Sequence, residues 1–289
     1  MKVAIASGKG GTGKTTLATN LAAFLAESTP VVLVDLDVEE PNANLFVRGA
    51  VQLEEVRFRL VPEWIDARCD RCGECQRVCN FNSILAVADG VMVFPELCHA
   101  CHACVELCPS HALTMQPRRM GSLVHQSDGA LDIVMGRLDV GELQAVPLID
   151  QTLGYVDSSF PGDRLVIVDA PPGTSCPVVA ATRRADLVIL VTEPTPFGLH
   201  DLQLAVATMR AIDREVCVVI NRYGMGDGAA LEDYCRREGL EVVARIPHSR
   251  RIAELYASGQ LLYRDSADFA AALDAVAALV RRVAIGGNA

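Results

Sequence analysis

Short apolar runs alternate along most of the chain with stretches in which apolar residues recur every three or four positions. Short apolar runs bounded by turn residues are typical of strands buried on both faces, and the longer period is typical of helices that cover a sheet. The predicted strands are Val3–Ser7, Val31–Asp37, Leu165–Val168, Leu187–Thr192, Val216–Asn221 and Arg245–His248. The clearest helices run from Leu17 to about Glu27 and over about Ala267–Val283. This alternation predicts an α/β fold with a doubly wound, mostly parallel sheet.

The alternation of strand and helix patterns is interrupted between about residues 62 and 117, a stretch bracketed by Pro62 and Pro117. It contains two similar halves, each ending in a short aliphatic segment, Ile84–Val87 and Ala112–Met115. Glycines spaced through residues 121–150 then predict β-hairpins leading back to the α/β pattern. The predicted organisation is therefore a first α/β segment over 1–60, an inserted domain over 61–118, and a second α/β segment over 119–289.

Composition narrows the class of protein. The chain has 289 residues, 51% of them hydrophobic, and a formal net charge of −10, which favours a globular protein and argues against a mainly electrostatic nucleic-acid binder. No charged and apolar leader with a cleavage site opens the chain, and no apolar run reaches the roughly 18–20 residues of a membrane span. We expect a cytoplasmic protein without a stable membrane anchor, its last helix packed against the sheet.

A glycine-rich loop separates the first strand from the first helix. It reads Gly8, Lys9, Gly10, Gly11, Thr12, Gly13, Lys14, Thr15, Thr16. Glycines allow backbone N–H groups to curl around phosphate oxygens, and the helix N-terminus adds positive potential. The motif predicts that Lys14 reaches the β- and γ-phosphates of a nucleotide, while Thr15 offers its hydroxyl to Mg²⁺.

Eight of the eleven cysteines lie within forty residues, in two runs of equal spacing. The runs are Cys69, Cys72, Cys75, Cys79 and Cys98, Cys101, Cys104, Cys108. In a cytoplasmic protein such spacing indicates metal ligation rather than disulfides. Structural zinc is one alternative, and the first run has Asn80 where ferredoxins commonly have proline. The two complete runs nevertheless favour two 4Fe–4S clusters in a bacterial-type ferredoxin domain.

In bacterial two-cluster ferredoxins, the fourth cysteine of each run binds the cluster of the other run. The resemblance therefore implies two ligand sets. The first set is Cys69, Cys72, Cys75 and Cys108, and the second set is Cys98, Cys101, Cys104 and Cys79.

Lys9, at the second position of the glycine-rich loop, makes the motif similar to the deviant Walker loop of the MinD, ParA, Mrp-type cluster carrier and nitrogenase iron protein family. The resemblance implies a P-loop ATPase that binds ATP or ADP with Mg²⁺ and dimerises with ATP. Lys9 would then touch the nucleotide of the partner subunit and stabilise charge there. Such ATPases hydrolyse ATP slowly and are stimulated by partners.

The same resemblance assigns further residues. Asp37 would position the attacking water and lie near Mg²⁺, with Asp35 structural or close to the metal, and Asp169 would hold Mg²⁺ through water. Residues that would flank the base are Asn221, Arg222 and Pro247. The implied catalytic residues are Lys9, Lys14 and Asp37, and the implied Mg²⁺ ligands are Thr15, Asp37 and Asp169.

A MinD-type ATPase with a ferredoxin domain inserted between its switch regions resembles a recognised subfamily. We expect a homodimer, or a heterodimer with a paralogous ATPase, that couples nucleotide binding to electron transfer to a redox partner protein. One alternative is an ATP-dependent carrier or assembly factor for metal clusters. Another is a positioning ATPase whose clusters are structural or sensing.

Cys176 is a separate signal. It lies seven residues after Asp169, as does a cluster-binding cysteine of the nitrogenase iron protein. Cys176 is therefore either an interface ligand or a small buried residue. No nucleic acid is expected as a partner.

Overall fold

The computed structural model describes residues 1–162, 164–226 and 228–286. The strands are β1 Lys2–Ala6, β2 Val31–Asp35, β3 Ala50–Trp64, β4 Ile84–Val87, β5 Gly90–Val93, β6 Leu113–Ser127, β7 Leu131–Leu138, β8 Leu165–Asp169, β9 Leu187–Thr192, β10 Val216–Tyr223 and β11 Glu241–Pro247. The helices are α1 Lys14–Ala26, α2 Glu74–Arg77, α3 Ala103–Glu106, α4 Ala145–Ser159, α5 Cys176–Thr182, α6 Pro196–Ala211, α7 Ala229–Arg237, α8 Arg250–Ala257 and α9 Ala267–Gly286.

Nine strands form one sheet in the order β11-β10-β9-β1-β8-β2-β7-β6-β3. The pairs from β11 through to β7 are parallel, which confirms the predicted mostly parallel α/β sheet. Strand β1 is central because its residues Val3 to Ala6 are buried on both faces. The carboxyl ends of β1, β2, β8 and β10 therefore lie along one edge of the sheet, where parallel sheets bind their ligands.

The chain divides into two compact units. The first comprises Met1–Glu54, Leu123–Arg137 and the chain from Ile149 onward. Its core joins apolar residues of α1 and α9 to the central strands, including Leu17, Leu21, Phe269, Leu273 and Val276. No helix among the described residues is both long enough and apolar enough to span a membrane.

The second unit comprises Glu55–Ser122 and Leu138–Leu148. It contains the antiparallel pair β4 and β5 and the short helices α2 and α3. Its small core is built on Ile84, Cys104 and Leu113, against which Trp64 packs. Gly90 lies against the Trp64 ring so closely that any side chain at this position would collide with it.

The prediction of β-hairpins over 121–150 is correct only in part. Strands β6 and β7 are neighbours in the sheet, and Asp128 and Leu131 form the turn between them. The segment from Ala145 is instead the start of α4. Its buried residues Leu148, Ile149 and Leu153 follow helical spacing, and that pattern extends past residue 150.

The two halves of the cysteine-rich segment are also less alike than predicted. Ile84–Val87 forms a strand that pairs with β5, whereas Leu113 opens the fifteen-residue strand β6.

Candidate functional site

The glycine-rich loop lies between the end of β1 at Ala6 and the start of α1 at Lys14. Gly13 adopts φ 99°, and a Cβ there would collide with the Asn221 side chain. Gly8 has its own constraint, because a Cβ there would collide with the backbone of Asp201. Glycine is therefore required at both ends of the loop. At Gly8 the reason is close packing, and at Gly13 it is close packing together with a left-handed backbone.

An open cleft in the first unit brings together most of the predicted nucleotide-site residues. Those that line it are Gly10, Gly11, Gly13, Lys14, Thr15, Thr16, Asp37, Asn221, Arg222 and Pro247. Gly8, Lys9, Thr12 and Asp169 do not line it. The apolar residues that line the cleft include Ile246, Ile252 and Tyr256, side chains of the kind that can pack against a flat ring.

Two strand-end carboxylates lie side by side at this edge, since Asp35 of β2 is in register with Asp169 of β8. The Asp35 carboxylate accepts hydrogen bonds from the N–H groups of Asp37, Asn42 and Ala43 at 3.1, 2.9 and 3.0 Å. These bonds fix the loop that carries Asp37. Burial raises the pKa of Asp35 to about 6, because desolvation outweighs the three bonds.

Asp169 differs from Asp35 in having no such donors. Both of its carboxylate oxygens are buried without a hydrogen-bond partner. Burial, followed by repulsion from Asp35, raises its pKa well above the ordinary value, while Thr15 and Lys14 oppose the rise. A buried carboxylate without partners is costly unless a cation compensates it. The donor set of Asp169, Thr15 and Asp37 therefore fits Mg²⁺, a hard cation that prefers oxygen ligands.

Lys14 faces the same carboxylates. Burial lowers the pKa of its ammonium group, and attraction to Asp169 and Asp37 opposes that shift. Its side chain therefore reaches the cleft from a buried position, where a phosphate would supply an additional negative charge.

Lys9 makes an ion pair that the sequence reasoning did not anticipate. Its ammonium lies 3.3 Å from the Glu193 carboxylate, which also receives the Arg222 guanidinium at 2.5 Å. Glu193 is 5% exposed, whereas the Lys9 side chain is about one-third exposed. The only sequence signal was an acidic residue directly after the apolar run of β9. In this structure Lys9 and Arg222 both point towards Glu193.

Asn221 links β10 to the loop. Its side-chain amide donates to the carbonyl of Thr12 at 2.7 Å, and its side-chain oxygen accepts from the N–H of Arg222 at 2.8 Å. The contact with a base predicted for Asn221 stays a prediction. The observed contacts show that this side chain supports the phosphate loop.

In the second unit, the eight clustered thiols surround two separate cavities. One cavity is lined by Cys69, Cys72, Cys75 and Cys108, and the other by Cys79, Cys98, Cys101 and Cys104. We call these groups thiol set I and thiol set II. Each contains three cysteines of one run and the fourth cysteine of the other.

Electrostatic interactions show the same grouping. Burial, and then the nearby thiols Cys108 and Cys69, raise the pKa of Cys75. Burial, and then Cys98, Cys101 and Cys79, raise the pKa of Cys104 to about 11.

The fourth cysteine of each run behaves differently. Burial alone would raise the pKa of Cys79, but the Ser83 hydroxyl and backbone N–H groups lower it overall. At Cys108, donors that include the N–H of Ala112 and the Ser110 hydroxyl likewise outweigh burial and lower the pKa. Hydrogen bonds to sulfur favour the thiolate, which is the form that binds metal.

The backbone around the thiols repeats with an offset of 29 residues, the spacing from Cys69 to Cys98. Positive φ occurs at equivalent positions in both halves, in the pairs Arg71 and Ala100, Gly73 and His102, and Asn82 and His111. The non-glycine members carry strain of about 1–3 kcal/mol each. Turns of this kind present successive N–H groups to an anion, a geometry found at many iron–sulfur sites.

Among the described residues, no three His, Cys, Asp or Glu side chains are arranged to hold one metal ion. A zinc site would need its sulfurs about 2.3 Å from a single centre. The four thiols of each set instead line one cavity beside the paired turns. This donor set fits a polynuclear cluster with thiolate ligands better than it fits zinc.

A profile of the CobQ/CobB/MinD/ParA nucleotide binding domain matches residues 3–262. The chain belongs to this family. The P-loop and the parallel sheet described above are accordingly the nucleotide-binding framework of a MinD/ParA-type protein.

Individual proteins give finer comparisons. The chain is 31% identical to the uncharacterized protein MJ0579 of Methanocaldococcus jannaschii over 92% of this chain and 93% of that protein. It is 25% identical to an iron–sulfur cluster carrier protein of Pyrococcus furiosus over 85% of this chain and 73% of that protein. The septum site-determining protein MinD of Pyrococcus horikoshii, solved with Mg-ADP, shares the fold with a TM-score of 0.60 and 20% identity, covering 98% of this chain and 96% of that one.

The remaining cysteines lie outside both thiol sets. Cys176, at the start of α5, is exposed, so it is not the small buried residue that was one of its two predicted roles. Its role as an interface ligand stays a prediction. Cys217 of β10 and Cys235 of α7 are buried, and burial raises the pKa of each thiol.

Proposed function

We propose that this protein is an ATPase that holds two resident 4Fe–4S clusters and couples its nucleotide state to electron transfer to a partner protein. One observation carries the proposal: two crossing sets of four thiols, each around its own cavity, in a chain whose other unit is a nucleotide-binding domain. In domain terms, residues 61–118 would be the ferredoxin-type domain, and 1–60 with 119–289 the ATPase.

The chain's own residues account for the nucleotide chemistry, in which ATP and water become ADP and phosphate. The loop N–H groups and Lys14 would bind the phosphates, and Thr15 with Asp169 would hold Mg²⁺. Asp37 would orient the attacking water, because the Asp35 bonds hold its loop beside the cleft. Mg²⁺, when bound, neutralises charge on the phosphates.

The partner of the Lys9 ammonium group would change with the nucleotide state. In the single chain it pairs with Glu193 and is partly exposed. Dimerisation with ATP would move it to the partner's nucleotide, leaving Glu193 paired with Arg222. The dimer partner is a second copy or a paralogous ATPase.

The burial of the thiols favours resident clusters over transferable ones. Cys98, Cys104 and Cys108 are buried, and only Cys72 and Cys101 among the eight are exposed. Because the other three are half-buried, most of the ligands are at least partly shielded from solvent, so a cluster would dissociate slowly but still exchange electrons. Each cluster would take one electron from a reduced one-electron donor protein and give it to an oxidised acceptor protein.

A second candidate function is an ATP-dependent carrier or assembly factor for metal clusters. The similarity to the iron–sulfur cluster carrier protein of P. furiosus favours it. Under this alternative, iron leaves the protein together with its cluster, and the exposed Cys72 and Cys101 would be the points of release.

The test is an anaerobic redox titration followed by EPR, with and without Mg-ATP, with bound iron counted in each state. Gated electron transfer predicts a fall in midpoint potential of about 60 mV or more, tenfold in equilibrium for one electron, with iron retained. Unchanged potentials with iron delivered to an apo-acceptor would support the carrier instead. No iron after anaerobic reconstitution would rule out both.

Matched variants add a control to this test. Lys9→Ala should abolish the ATP-dependent change, whereas Lys2→Ala should not, since Lys2 pairs with Asp157 and does not line the cleft. Loss of the response in both variants would exclude a specific role for Lys9.

A further inference from the structure

Thiol sets I and II lie in backbone repeats of one another, but a buried arginine contacts the backbone beside set II. Arg59 of β3 is buried, with 3% of its surface exposed. Its guanidinium donates to the carbonyl of Cys98 at 3.2 Å and to the carbonyl of Pro95 at 2.8 Å. Cys98 belongs to thiol set II, so a buried cation contacts the backbone of one of its ligands.

The countercharge lies on the other side of the guanidinium. Glu142 accepts from Arg59 at 3.2 and 3.1 Å, and its side chain is also buried. Its other carboxylate oxygen accepts from the N–H groups of Leu143 and Gln144, both at 3.0 Å. The pair is fully bonded, so it forms a fixed dipole whose positive end contacts Cys98.

The first half of the repeat has no equivalent. Asp66 and Cys69 occupy the positions 29 residues before Pro95 and Cys98. In the part of the chain that the structure describes, no arginine donates to the carbonyl of either residue. Arg71 does line the cavity of thiol set I and reaches the Asp66 side chain, but both groups are exposed, unlike Arg59, and exposed charges are screened by water.

We propose that the Arg59–Glu142 pair makes the cluster of thiol set II the more easily reduced of the two. The inference rests on the proposed function, because it requires that both sets hold clusters. Reduction adds one electron to the site, and a buried positive end nearby stabilises the added charge. Net charge and hydrogen bonding around the ligands are the levers by which a protein sets cluster potentials.

Two substitutions should shift the same potential in opposite directions. Glu142→Gln removes the countercharge and keeps one oxygen acceptor for Arg59, at the cost of the acceptor for the N–H groups of Leu143 and Gln144, so the potential should rise. Arg59→Leu removes the donors and leaves the Glu142 carboxylate, so it should fall. Arg119→Leu is the control, because Arg119 lies in the same unit but pairs with Asp139 at the surface.

The experiment is an EPR-monitored redox titration of the full chain under anaerobic conditions. Cys101→Ala identifies the couple of thiol set II, since Cys101 is an exposed member of that set. We expect Glu142→Gln to shift this couple upward by at least tenfold in equilibrium, about 59 mV for one electron, with the other couple unmoved. Arg59→Leu should shift it downward, and Arg119→Leu should shift neither couple.

The results of this titration distinguish failure of the inference about Arg59 from failure of the proposed function. Two couples that move together, or that do not move in Glu142→Gln, would overturn the inference while leaving the clusters established. A reconstituted wild-type chain without any 4Fe–4S signal would overturn the proposed function itself. If Arg59→Leu fails to fold, Glu142→Gln decides alone.

Discussion

The nucleotide site and the thiol sets are organised in opposite ways. The nucleotide site lies at the edge of a buried parallel sheet, where Asp35 and Asp169 are brought into register by strands far apart in sequence. The thiols are brought together by short turns and two helices of four residues each. The first arrangement is supported by a large apolar core, and the second by a small one that includes its own cysteines.

The two sites also differ in the feature that makes each of them energetically unfavourable. The nucleotide site carries one buried carboxylate, Asp169, whose oxygens lack hydrogen-bond partners, a cost that the surrounding core can offset. The cysteine-rich unit carries strained turns and has little core to offset them. We therefore expect the first unit to fold without its ligand and the second to depend on its clusters.

The largest effect is expected when a buried thiol is removed from thiol set II. Cys104→Ser should lower bound iron from about eight to about four or fewer atoms per chain and loosen the second unit, while ATP binding persists. Iron analysis and limited proteolysis measure both effects. Cys235→Ser, a buried cysteine of α7 outside the sets, should keep all of the iron. Equal iron loss in the two variants would contradict the assignment.

Asp169→Asn addresses the buried carboxylate. Without Mg²⁺ we expect this variant to be more stable than the wild type by about 1–3 kcal/mol, because an uncompensated buried charge is removed. Mg-ADP binding should weaken at least tenfold. Denaturant unfolding and calorimetric titration provide the two measurements, with Asp157→Asn as a surface control. A less stable Asp169→Asn protein would show that the carboxylate has a partner when no metal is bound.

The pH dependence of stability tests Asp35. Its pKa of about 6 in the folded chain lies above the ordinary 3.8, so the folded state holds the proton more tightly. The resulting stability, on the order of 3 kcal/mol, is complete below pH 3.8 and is lost as pH rises through 6. About 1 kcal/mol of it should disappear between pH 5 and pH 7 without Mg²⁺. Unfolding of Asp35→Asn over the same range should lack this loss. Equal slopes for wild type and variant would contradict the elevated pKa.

The smallest predicted effect compares two equivalent turn positions in the cysteine-rich unit. Gly73→Ala should destabilise that unit by about 1 kcal/mol, because Ala resists the left-handed backbone although space is open. His102→Ala should cost much less, since His102 already adopts φ 65° as a non-glycine residue. Thermal unfolding of anaerobic protein measures both. Equal losses would mean that packing rather than backbone strain limits these turns.

The sequence predicted those parts of the molecule in which hydropathy and burial agree. The strand Val3–Ser7 was predicted almost as observed, and the last helix begins at Ala267 as expected. The thiols lie in the crossed groups that the resemblance to two-cluster ferredoxins implies, and ligation itself stays a prediction.

Strand β3 was missed although Val56, Phe58 and Leu60 alternate with polar residues, a period typical of a strand. These apolar side chains are exposed while Arg59 is buried, so the alternation marks the strand but indicates the wrong buried face. Glu193 was missed for another reason. Its partners Lys9 and Arg222 are brought to it by the parallel sheet, over distances that no local pattern reveals.

The pairing of β2 has a consequence for synthesis of the chain. Val31 pairs on one side with Leu131 and on the other with Leu165, so β2 leaves the ribosome long before either neighbour exists. The cysteine runs, which end at Cys108, emerge between these events. The thiols can therefore be loaded with iron and sulfide while the central sheet still lacks most of its strands. We expect the order of maturation to be cluster first and nucleotide site second.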